Sequence, residues 1–70
     1  MKKIITLSNK EVTMREPKVR DIVALDDIDN EAQKEVMLIV NLAQLPEDEV
    51  MDMGIKDYRK LQGAAQDFLV

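Results

Sequence analysis

Hydrophobic and polar positions change their period several times along this chain, and each change marks an element. Residues Lys3 to Leu7 alternate, with Ile5 and Leu7 on one side and Ile4 and Thr6 on the other. Glu11 to Met14 alternate again, with Val12 and Met14 as the apolar positions. A period of two is the mark of a half-buried strand. Between the two runs lies Ser8-Asn9-Lys10, and asparagine tolerates a left-handed turn conformation. The spacing therefore predicts a β-hairpin over residues 3–14. Two strands alone are marginal in water, so the hairpin must lie on something apolar.

Pro17 stops the alternation and pushes Glu16 to an extended conformation. Val19, Ile22 and Val23 then share one face of a short helix over about residues 19–26, with Leu25 at its edge. A polar connector follows, and Asn30 or Asp29 caps a second helix over about residues 30–44, with Glu31 adding favourable charge at its start. This helix is apolar nearly all the way round. A surface helix needs one stripe of about 100°, and Val36, Ile39, Val40 and Ala43 supply it. That stripe is expected to be core. Met37, Leu38, Leu42 and Leu45 spread onto the flanks. The helix is either the central post of the fold or, along Met37, Leu38 and Leu42, the contact with another copy or a partner helix.

Pro46 and the acidic run Glu47-Asp48-Glu49 open a short third helix over about residues 46–53, with Val50 and Met53 as its apolar contacts. Gly54 is expected to end it as a left-handed cap. The last helix, over about residues 56–69, places Tyr58, Leu61, Ala65 and Phe68 in one stripe, with Ala64 and Leu69 beside them. Gly63 interrupts this helix at a cost of about 1 kcal/mol relative to alanine, and offers a place where another helix can approach closely. The pattern predicts one α+β domain, a short N-terminal hairpin packed on three to four helices.

Composition narrows the chemistry. The chain has 70 residues, 46% hydrophobic and 34% charged, with no cysteine and no histidine. Disulfides and the usual zinc and haem ligands are gone, so good packing or association must stabilise so small a domain. The net charge is −4 and the basic residues are scattered. With Tyr58 and Phe68 as the only aromatic rings, neither a basic patch nor a stacking platform for nucleic acid is present. Met1-Lys2-Lys3 looks like the start of a signal peptide, but only Ile4 and Ile5 precede Thr6; no secretory or membrane-spanning segment is expected, and the chain reads as soluble and cytosolic.

Candidate catalytic groups are equally sparse. Ser8 is the only serine and has no imidazole base. Asp27, Asp29 and Glu31 have the alternate spacing of a calcium loop, but Ala32 stands where the turn glycine belongs and Leu38 where the bidentate glutamate belongs. Helix capping accounts for that cluster, and the helix dipole accounts for Glu47-Asp48-Glu49 with Asp52. No cofactor, metal or catalytic residue is predicted, and the chain is not read as an enzyme.

The ordered set Met14-Arg15-Glu16-Pro17, Val19, Asp21-Ile22, then Asn41-Leu42-Ala43-Gln44-Leu45-Pro46-Glu47-Asp48-Glu49-Val50, Met53, Ile55, Asp57-Tyr58, Leu61 and Phe68-Leu69 resembles the small tail assembly chaperones of Mu-like and related contractile-tailed phages and prophages. Two features depart from that pattern. The hairpin is short, and Lys18 stands where a serine or threonine cap belongs, which leaves Asp21 without a capping-box partner.

The resemblance implies a non-enzymatic protein of the host bacterial cytoplasm, absent from the mature virion. Its implied partners are the long helical tape-measure protein and the tail tube protein. An adaptable apolar groove suits such a client. The groove is expected beside the second helix, using Met37, Leu38 and Leu42, with Tyr58 and Leu61 from the last helix as walls. Arg15 and Glu16 are expected to tie the turn to neighbouring helices, and Asp57 to start the last helix. The competing reading is a small homo-oligomeric interaction or regulatory module that uses the same apolar helix for a symmetric dimer.

Overall fold

The computed structural model describes residues 2–69; Met1, the head of the Met1-Lys2-Lys3 start, and Val70 lie outside the described residues. Strands β1 (Lys2–Thr6) and β2 (Glu11–Arg15) pair antiparallel, with Lys3 opposite Met14, Ile4 opposite Thr13 and Ile5 opposite Val12. This register gathers Ile5, Leu7, Val12 and Met14 on the inner face and leaves Ile4 and Thr13 outside. The Leu7 amide donates to the Lys10 carbonyl at 2.8 Å, which closes the turn around Ser8 and Asn9. Asn9 does not adopt the left-handed conformation expected of it; Gln44 is the only described non-glycine residue with positive φ. The turn is held from outside, because the Ser8 amide and hydroxyl both donate to Asp57 Oδ1, at 3.1 and 2.9 Å.

Four helices follow, α1 (Val19–Val23), α2 (Glu31–Ala43), α3 (Glu47–Met51) and α4 (Ile55–Leu69). The chain leaves α1 through hydrogen-bonded turns, with Leu25, Asp26 and Ile28 amides donating to Ile22, Val23 and Leu25 carbonyls. Asn30 caps α2, its side chain accepting from the Gln33 amide at 3.1 Å. At the other end Gln44 takes φ 57° and ψ 43°, and the Leu45 amide reaches back to the Val40 carbonyl. That 6→1 bond is a Schellman-type stop. The left-handed cap expected at Gly54 for the end of α3 is not formed, since α3 ends at Asp52 in the right-handed region. Gly54 has no positive φ; its carbonyl accepts from the Tyr58 amide and so opens α4.

The α2 helix is the post around which the rest is arranged. It packs on α1, α3, α4 and β2, and none of the residues from Gln33 to Ala43 is exposed. Its most buried side chains are Leu38, Ile39, Leu42 and Ala43, while Val36 and Val40 are half-buried. The inward face is thus turned by roughly 80° from the stripe read off the sequence, at 100° per residue. With Met14 and Leu61, Ile39 and Leu42 have no exposed surface. Burying each such side chain stabilises the fold by about 1.5–3 kcal/mol relative to leaving it in water.

The hairpin runs antiparallel to α4 and is clasped to it along its length. Lys3 pairs with Asp67 at 3.2 Å and lies over the Phe68 ring at 4.9 Å, Lys60 donates to the Thr6 carbonyl at 3.1 Å, and Ser8 meets Asp57. Lys10 pairs with Glu49 of α3. Gly63 is not a close-approach site, because a Cβ placed there meets nothing within 4 Å.

Arg15 at the end of β2 turns α1 over. Its guanidinium donates twice to Asp21, Nη1 to Oδ2 at 2.9 Å and Nη2 to Oδ1 at 2.8 Å, the fork geometry of a strong charge-assisted pair. Asp21 Oδ2 also accepts from the Lys18 amide at 2.7 Å. Asp21 therefore forms half of a capping box, which the lysine at position 18 does not prevent, since the acceptor comes from Asp21 and the donor is backbone. Asp21 is 5% exposed, and Leu25 is buried on the same side. On a helix these two positions lie about 40° apart, and Val19, Ile22 and Val23 fill the opposite arc. All three are exposed, Val19 at 80%. The apolar face that these three residues share is the outer one.

Two consequences are measurable. Gly63→Ala should raise the unfolding free energy by about 1 kcal/mol, since the position is helical, exposed and uncrowded; an unchanged urea midpoint would contradict that placement. Asp21→Asn should lower it by about 2 kcal/mol at neutral pH. The hydrogen bonds from Arg15 hold the Asp21 carboxyl down at about 2, against 3.8 for the free group. The stabilisation is present above pH 3.8 and is lost as pH falls towards 2. The two urea curves should converge over that window, and a constant gap would refute the ion pair.

Candidate protein-binding groove

The outward face of α1 continues into an open groove of about 390 Å³ between α1, α2 and α4. Ile22 and Leu25 form one wall, Leu38 and Ala65 the floor, and Leu69 one end. Glu31, Lys34, Glu35, Gln62 and Gln66 form the polar rim. Ile22 is 47% and Leu69 51% exposed. An apolar floor with a rim of long polar side chains is the usual composition of a protein-binding surface.

Glu35 sits at the middle of the inward arc of α2 yet is an acid. It is kept there by α4, for the Tyr58 hydroxyl donates to its Oε1 at 2.6 Å and Gln62 Nε2 donates to both oxygens at 3.0 and 3.1 Å. Burial raises the Tyr58 pKa above its ordinary value, and the bond to Glu35 and the charge of that carboxylate add to the rise. Among the described residues no buried side-chain nitrogen or oxygen lacks a partner. Polar groups are satisfied inside while apolar ones are left outside.

The five residues singled out from the sequence fall in different places. Leu38 lines the groove, Met37 and Tyr58 are half-buried, and Leu42 and Leu61 lie wholly within the core that carries the helices. Ile22, Leu25, Ala65 and Leu69 were not singled out. For Ile22 the signal was the neighbouring Asp21 carboxylate, which becomes informative only when paired with Arg15; Ala65 and Leu69 had none.

A second depression, of about 430 Å³, lies between the hairpin turn and the α3–α4 junction, lined by Leu7, Asn9, Lys10, Glu49, Asp52, Met53, Gly54 and Asp57. Lys10 is bound to Glu49 and Asp57 to Ser8, so its charges tie elements together. Among the described residues no group of three or more acidic side chains is placed to hold a metal ion, and no helix is long and apolar enough to cross a membrane.

Tyr58 is the only tyrosine and there is no tryptophan, so its ionisation is readable by ultraviolet absorbance. In the folded protein it should begin well above pH 10. The raised value means that the stabilisation is present below pH 10 and is lost as the pH climbs past it. Ionisation near pH 10 without unfolding would show that the Glu35 bond is not made in solution.

A family model described as phage tail assembly chaperone proteins, E, or 41 or 14, matches residues 7–70. No curated protein and no solved structure is significantly similar to the chain. The matched region takes in β2, all four helices and every residue that lines the groove. The chain belongs to the phage tail assembly chaperone family, whose members assist assembly and are not enzymes.

Proposed function

We propose that this chaperone binds the helical tape-measure protein through the groove beside α2, keeps it soluble, and assists assembly of the tail tube protein around it. It acts in the host bacterial cytoplasm and is absent from the mature virion. The supporting observation is the exposed apolar face of α1, which runs into the Ile22–Leu38–Leu69 groove on a chain whose buried polar groups are all paired among the described residues. An amphipathic helix laid in such a groove reads it with side chains one turn apart. Leu38 stands at the proposed contact; Met37 and Tyr58 do not line the groove, and Tyr58, Leu42 and Leu61 contribute by holding α2 and α4 in place.

Co-expression of the tagged chain with the tape-measure protein encoded nearby tests this. The expected result is a soluble complex from a client that precipitates alone. Ile22→Asp and Leu69→Asp alter exposed positions. Each should reduce recovery of the client about tenfold, equivalent to about 1.4 kcal/mol, with little change in melting temperature. Leu38→Asp is a poorer probe, because Leu38 is buried and its loss also damages the fold. A client that precipitates regardless, or that binds the Ile22→Asp variant equally well, would defeat the proposal.

A further inference from the structure

We infer that the groove selects an amphipathic helix whose apolar stripe is flanked by lysine or arginine on the side that meets the α1–α2 connector; this rests on the client-binding reading above and narrows its chemistry. The connector joins two groove-lining residues, Leu25 and Glu31. It carries Asp26, Asp27 and Asp29, all exposed and none in an ion pair among the described residues. Glu31 meets Lys34 at 3.7 Å, with its own side chain 88% exposed. Among the described residues Glu35, on the rim, is hydrogen-bonded only by the neutral donors of Tyr58 and Gln62 and is in no ion pair.

Between positions 26 and 35 there are five carboxylates and one ammonium, Lys34. Glu31, Lys34 and Glu35 line the groove, and the three aspartates lie on the segment that joins two of its lining residues; a bound partner displaces water there and strengthens each interaction. A helix with acidic flanks is repelled, and one with basic flanks is drawn in and oriented. A second copy of this chain is a poor occupant. In a two-fold contact the same patch meets itself and brings the acidic connectors towards each other.

The test uses two labelled synthetic amphipathic peptides with one leucine stripe, flanked by lysine in one and by glutamate in the other, titrated with the whole chain by fluorescence anisotropy. The lysine peptide should bind at least about tenfold more tightly at low salt, with the gap shrinking as salt is added. Asp26→Lys/Asp27→Lys, at exposed positions, should erase that preference, and Ile22→Asp should weaken binding of the lysine peptide. Equal affinity for both peptides, binding of neither, or a lysine preference untouched by the connector variant would each overturn the inference. So would concentration-dependent dimerisation of the chain alone that Ile22→Asp abolishes. Failure of the tape-measure complex with the lysine preference intact would instead strike the broader reading alone.

Discussion

The fork between Arg15 and Asp21 decides which way α1 faces, and the surface of the protein follows from it. A five-residue helix has too few side chains to bury both of its faces. Hydrophobic burial alone would turn Val19, Ile22 and Val23 inward. They are instead directed to water because the opposite side carries a carboxylate with three donors waiting for it, two on the guanidinium and one on the Lys18 amide. An unpaired buried charge costs far more than the exposure of three aliphatic side chains returns. The ion pair thus fixes the geometry of the turn after the hairpin and leaves an apolar face on the outside.

Around that constraint the core is economical. One helix, α2, packs against β2, α1, α3 and α4. The remaining strand, β1, is fastened by long side chains to α4. Small domains bury a low fraction of their surface and have little margin. Here the margin comes from interlocking every element on one post, with Met14, Ile39, Leu42 and Leu61 fully enclosed. The Glu35–Tyr58–Gln62 network adds a polar tie between α2 and α4 where an apolar pair would have been less directional.

An assembly chaperone must bind an apolar client without itself aggregating. In the proposed reading the client surface is a shallow groove bounded by charged and amide side chains. On that reading the rim sets what is admitted and the floor supplies the area. Both are carried on helices whose positions are set by the core.

The alternation of residues 3–7 and 11–14 determined the hairpin and its inner face, and the period of the last helix determined its buried stripe, because backbone geometry ties those patterns to faces directly. The motif order likewise carried the family, which the match over residues 7–70 bears out. Three things were decided only by tertiary structure. The inward arc of α2 depended on how many neighbours surround a helix that is apolar on nearly every side, where periodicity has no preferred direction. The left-handed residue is Gln44, at the end of α2, while α3 ends at Asp52 without one at Gly54, because the 6→1 bond from Leu45 to Val40 closes α2 there. The orientation of α1 depended on a contact between residues on two different elements, Arg15 and Asp21. A local pattern of three apolar residues reads as core whatever its partners are. Only the guanidinium across the turn makes it a surface.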